Sequence, residues 1–122
     1  MKLKINTQIC MLAAGMLLAF SCQTEPDLTN APTISFKNDI QSILAGNCTM
    51  SGCHNGNGHE DEFSLETYDE VVKHIKPGNS HSSELYLAVA NRSANPMPPA
   101  GPLPTASIQK IYLWIEQGAK NN

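Results

Sequence analysis

One cluster in this sequence combines residue types and spacing that point to chemistry: Cys48-Thr49-Met50-Ser51-Gly52-Cys53-His54. Two thiols can form thioethers with the vinyl groups of a haem, and a histidine directly after the second thiol is then fixed under the iron as proximal ligand. The common spacing has two residues between the cysteines. Here there are four, so the loop between the anchor points has to bulge outward. Two other chemistries fit the same residues. Cys48 and Cys53 could close a very short disulfide, worth about 2 kcal/mol through the unfolded chain. Cys48, Cys53, His54 and His59 could instead hold zinc, as two thiolates and two imidazoles in a tetrahedral set.

A haem iron in an electron carrier needs a second axial ligand, and methionine in that place raises the potential. Met97 lies in Asn95-Pro96-Met97-Pro98-Pro99, where flanking prolines stiffen the loop and reduce the entropy lost on fixing the thioether. A lone methionine under a proline-rich loop is also a common gap filler. Met50 is poorly placed, between the two anchor points. His59 is too close to His54 in sequence to reach the opposite face. His74 and His81 could reach it, but both fall at helix ends where surface histidines are common.

The elements that must position these residues begin after an export segment. Lys2 and Lys4 precede an apolar run, Ile9 to Phe20, that is too short to span a bilayer comfortably. Leu18-Ala19-Phe20-Ser21-Cys22 resembles a bacterial lipoprotein cleavage box, so residues 1–21 read as a removed signal and Cys22 as the lipidated N-terminus. Several acyl chains on Cys22 would give stable anchoring, where one chain is marginal. The expected location is therefore the periplasm, the outer membrane or the cell surface. Cys10 leaves with the signal, and only Cys48 and Cys53 remain for the folded domain, in a compartment that consumes free thiols.

Without Lys2 and Lys4, six basic residues face eleven acidic ones, a formal charge of −5. No basic patch is present, which argues against nucleic acid as a partner; a redox protein is the expected partner. Residues 22–34 are polar, carry Pro26 and Pro32, and read as a flexible tether. Residues 35–122 are the domain.

Within it, Ser35 is placed to cap a first helix with Phe36, Ile40, Ile43 and Leu44 as its apolar stripe, ended by Gly46. Thr67-Tyr68-Asp69-Glu70 has the form of a capping box and opens a second helix that turns Tyr68, Val71, Val72 and Ile75 inward. Pro77-Gly78-Asn79 ends it. A third helix, about Ser82 to Ala90, carries Leu85, Tyr86 and Val89. Five prolines between Asn95 and Pro104 exclude helix and central strand. Thr105 is placed to cap a last helix with Ile108, Ile111, Tyr112 and Ile115 as its stripe, Trp114 beside it and Gly118 as its stop. The pattern is all-α, with short helices and long loops. A core this small usually needs a cofactor, metal or staple, and a haem would supply the missing apolar surface.

Taken in order, these segments resemble the planctomycete-type cytochrome c domains. The resemblance is carried by Phe36-x-x-Asp39-Ile40-x-x-Ile43-Leu44, by the Cys48 to His54 cluster and by Phe63-Ser64-Leu65-x-x-Tyr68. It continues through Lys76-Pro77-Gly78-Asn79, Ser83-x-Leu85-Tyr86, Met97-Pro98-Pro99 and Ile111-x-x-Trp114-Ile115-x-x-Gly118-Ala119. It implies a small class I cytochrome c-like fold around one haem c, with the first and last helices crossing near it. It also implies Cys48 and Cys53 as covalent haem anchors, His54 as proximal ligand and Met97 as distal ligand. The four-residue spacer departs from the family's more frequent two. The expected function is electron transfer by a membrane-tethered monohaem protein rather than catalysis. Against it stand two alternatives: a haem sensor or enzyme with an open distal site, and a haem-free structural lipoprotein held by zinc or a disulfide.

Overall fold

The computed structural model describes residues 27–56 and 63–122. The signal 1–21, the lipidation site Cys22, the start of the tether and His59 lie outside the described residues. Among those described there are four short α-helices and no strand, so the all-α expectation holds. None of these helices is long and apolar enough to cross a membrane.

The first helix starts where the sequence places it but not in the form expected. Ser35 Oγ accepts a hydrogen bond from the Asn38 amide at 3.1 Å, and Asp39 reaches back to the Ser35 amide at 3.1 Å. The first turn, Phe36–Ile40, is a π-helical turn that runs on into α1, Gln41–Asn47. Its exposed amides are met from the far end of the chain. Phe36 N–H donates to Asn122 Oδ1 (2.9 Å), and Lys37 N–H donates to the Asn122 main-chain oxygen (2.9 Å). Gly46 does not end the helix; Asn47 does, and the Cys48 amide still donates to Leu44 O at 2.7 Å.

The capping box at α2, Tyr68–Val71, is present as read. Glu70 Oε2 accepts from the Thr67 amide (3.1 Å), the Thr67 hydroxyl (2.8 Å) and the Ser64 hydroxyl (3.0 Å). Hydrogen bonds from Thr67 and then Ser64 hold its carboxyl below the usual range. A 3₁₀ turn, Val72–His74, follows. The segment Lys76 to Asn79 is then folded onto buried Ser83, whose hydroxyl accepts from Lys76 N–H at 2.8 Å and donates to Asn79 O at 2.7 Å.

The third helix, α3, is Glu84–Val89, two residues shorter at its start than the sequence suggests, because Ser80–Ser82 forms a separate 3₁₀ turn. Past its end Asn91 takes a left-handed conformation (φ 57°), and Arg92 N–H reaches Leu87 O at 2.8 Å. That is a Schellman closure with asparagine in place of the more usual glycine.

The last helix, α4, is Thr105–Glu116. Its cap is Pro104 and not Thr105, because the Pro104 carbonyl already accepts from Ser107 (2.9 Å) and Ile108 (3.2 Å). Trp114 is not beside the buried stripe but in it: Ile111, Trp114 and Ile115 are fully buried, while Ile108 and Tyr112 are only partly so. Gly118 stops the helix at φ +91°, with Ala119 N–H on Trp114 O (2.8 Å) and Gly118 N–H on Ile115 O (2.9 Å). Because the left-handed region costs an L-residue about 1–2 kcal/mol, Gly118→Ala should lower stability by about 1 kcal/mol. Urea denaturation followed by far-UV circular dichroism would read this as a lower midpoint with an unchanged slope.

The start of the first helix packs against α4. Phe36 lies edge-on to Tyr68 (5.2 Å between centroids) and tilted against Trp114 (5.5 Å), and Lys110 Nζ pairs with Asp39 Oδ1 at 2.7 Å across the junction. The domain also begins earlier than residue 35. Ile34 is buried, its amide donates to Gln117 Oε1 (2.9 Å), and Gln117 Nε2 donates to Pro32 O (2.8 Å). The stretch 32–34 is thus held on the end of α4 and is not part of a free tether.

Candidate functional site

The Cys48 to His54 segment is shaped by the end of α1. Cys48 and Thr49 both donate to Leu44 O (2.7 and 3.0 Å), which leaves the Cys48 side chain buried under the helix end. A turn follows, closed by Cys53 N–H to Met50 O at 2.9 Å, with Gly52 at φ +80° in its third position. Only glycine adopts that conformation without strain. His54 N–H then donates back to Cys48 O at 2.9 Å. The extra spacer residues are absorbed in this turn: Met50, Ser51 and Gly52 are exposed, while His54 returns to within one hydrogen bond of Cys48. The outward bulge required by the spacing is what the chain adopts.

Both cysteines are free thiols, Cys48 buried and Cys53 half-buried. Burial, and secondarily the neighbouring Cys53, push the Cys48 thiol up to about 11. In the haem-free protein Cys48 should therefore react slowly with iodoacetamide at pH 8 and faster as the pH is raised towards 11. Peptide mass mapping over a pH series would show a flat profile if burial did not control the thiol.

The chain returns past His54 at Leu65, whose N–H donates to His54 O at 2.9 Å. Met97 arrives from the other side. The Schellman turn at Asn91 reverses the chain after α3, and Met97 N–H donates to Ala88 O at 3.1 Å, which lays the proline-rich segment along that helix.

Between these elements lies a cleft of about 290 Å³ that opens to solvent. That is at the lower end of the range of small-molecule and cofactor sites. Cys48, His54 and Met97 all line it, and Leu65, Leu85 and Val89 give it apolar walls. Two polar atoms on these walls are buried without a hydrogen-bond partner, His54 Nδ1 and Ser93 Oγ. Buried polar atoms are normally paired, so orphans on a cleft wall suit a site that receives a polar ligand.

Of the other histidines, His74 also lines the cleft, whereas His81 lies edge-on to Tyr86 and Tyr112 and against Arg92. Phe63 stacks on both His54 (4.6 Å) and His74 (3.9 Å). The stacking of Phe63 on two imidazoles and the His74–Glu84 contact are not legible in the sequence, because they join residues from separate segments. Among the described residues no group of three or more His, Cys, Asp or Glu could hold a metal ion. The fourth member of the zinc set, His59, lies outside them.

Cys53 is not on the cleft wall, but it directly precedes His54 in the chain. The Cys48 thiol, the His54 imidazole and the Met97 thioether on the wall, with the Cys53 thiol beside them in sequence, are a fitting donor set for an iron porphyrin. Residues 51–101 match the family model described as planctomycete cytochrome C. The match includes Cys53, His54 and Met97, and begins three residues after Cys48. No curated protein and no solved structure matches the chain.

Proposed function

We propose that this chain, in which residues 51–101 match the planctomycete cytochrome C family model, is a membrane-tethered, single-haem electron carrier. A cytochrome c domain binds haem and transfers electrons; the number of haems, their attachment and the tether are the finer parts of this reading. Cys48 and Cys53 would hold the haem covalently, each thiol S–H adding across a vinyl double bond so that no external oxidant is needed. His54 would serve as the proximal ligand and Met97 as the distal one, and the bound iron would supply the one-electron chemistry.

The observation that supports this most directly is the sharing of one apolar cleft by Cys48, His54 and Met97, which are brought there by two separate stretches of chain. The chain's own contribution is to fix these donors and to keep water from the metal. Apolar walls and a thioether ligand both favour a higher potential. No residue is assigned a catalytic role. The domain is exported and acylated at Cys22, and it exchanges electrons with a redox protein at the membrane surface.

The test is to express the whole chain with haem-maturation enzymes and to record the pyridine haemochrome spectrum and intact mass. One haem per polypeptide, retained after denaturation, is expected. A mature protein whose mass shows only a bridged pair of cysteines or a zinc ion would sink the proposal.

A further inference from the structure

The cleft contains one potential iron donor more than this function requires. His74 closes the 3₁₀ turn Val72–His74, its side chain is only 19% exposed, and it lines the same cleft as His54 and Met97. Its Nδ1 lies 2.9 Å from Glu84 Oε2. That contact leaves Nε2 as the nitrogen available to a ligand. A carboxylate on the far nitrogen is the arrangement that fixes the tautomer and raises the basicity of metal-binding histidines. The His54 and His74 imidazoles both stack on the Phe63 ring, at 4.6 and 3.9 Å between centroids, so both histidines border the same part of the cleft. His81 has none of these features.

We propose that His74, oriented by Glu84, is a reserve axial ligand that takes the iron's sixth position when Met97 leaves it. This rests on the haem reading above. The two donors come from independent elements, Met97 from the proline-rich segment along α3 and His74 from the turn after α2, so one can leave while the other stays. Their chemistry differs as well: imidazole suits iron generally, while a thioether is a soft donor. Ligand exchange from sulfur to nitrogen would lower the reduction potential. Glu84 is a positioning residue in this scheme and does not touch the iron.

The experiment uses the full chain matured with haem, carrying Met97→Leu, with Met97→Ala as the second variant should leucine not pack. Haem content is checked first by pyridine haemochrome, and ferric electron paramagnetic resonance and visible spectra are then recorded. The proposal expects the Met97 variant to stay six-coordinate and low-spin with two nitrogen ligands, at a lower potential than the unsubstituted protein. Adding His74→Ala should convert it to a high-spin form that binds carbon monoxide rapidly when reduced. Adding Glu84→Ala instead should reduce the low-spin fraction, and an unchanged fraction would overturn Glu84's part. A high-spin Met97 variant, or a low-spin spectrum that survives loss of His74, would overturn the proposal. Absence of covalent haem from the unsubstituted chain is a separate result and removes the underlying function instead.

Discussion

A chain carrying both Cys48→Ala and Cys53→Ala, exported with haem-maturation enzymes, is expected to hold no haem through denaturing extraction. The unsubstituted chain should keep all of its haem under the same treatment. The effect is complete because a thioether is a covalent bond, and nothing in the cleft replaces it once both sulfurs are gone. Each single variant should keep a haem on the remaining sulfur, with Cys53→Ala the more damaging of the two. Cys53 is adjacent to His54 and sets where that imidazole falls, whereas Cys48 acts through the helix end and the hydrogen bond from His54 N–H to its carbonyl. Haem-stained denaturing gels and intact mass read the outcome. Covalent haem persisting in the double variant would refute the attachment sites outright.

The second large effect is on stability. Trp114→Ala should cost about 3–5 kcal/mol, the usual loss for truncating a buried tryptophan or phenylalanine. Trp114 is fully buried, packs against Phe36 and Tyr68, and donates from Nε1 to Lys120 O at 3.0 Å. Truncation removes those contacts and the hydrogen bond to the Lys120 carbonyl. Small domains have only about 5–15 kcal/mol in all, so the variant should be largely unfolded at physiological temperature unless haem binding compensates. As the sequence contains one tryptophan, its fluorescence is lost with the substitution, and far-UV circular dichroism against temperature is the measurement. A melting temperature within a few degrees of the parent's would show that Trp114 is not the centre of the core.

Local signals in the sequence translated directly into structure. Ser35, the Thr67/Glu70 capping box and Gly118 act where their residue types place them, because each is settled by backbone groups within a few positions. The outward turn of the long spacer was legible for the same reason: Gly52 can take a positive φ, and Cys48 and His54 close the loop between them. Less legible was anything fixed by distant chain. The π-helical opening of the first helix is held by Asn122, and the stretch 32–34 is held by Gln117; no window of sequence contains both partners. Trp114 moved from the side of a helical stripe to its centre because two other aromatic rings, Phe36 and Tyr68, converge on it.

The same division applies to the site. Sequence alone offered the candidate donors, namely two thiols, an adjacent histidine and a proline-flanked methionine, since side-chain chemistry and local spacing do not depend on the fold. Only tertiary structure decided which donors meet. It brought Met97 to the Cys48–His54 cleft through a reversal at Asn91, a residue whose left-handed conformation no simple pattern requires. It admitted His74 and turned His81 away, although both lie in short 3₁₀ turns, because their neighbours differ: Glu84 and Phe63 for one, Tyr86, Tyr112 and Arg92 for the other. Those contacts join separate segments, and their geometry is set by packing.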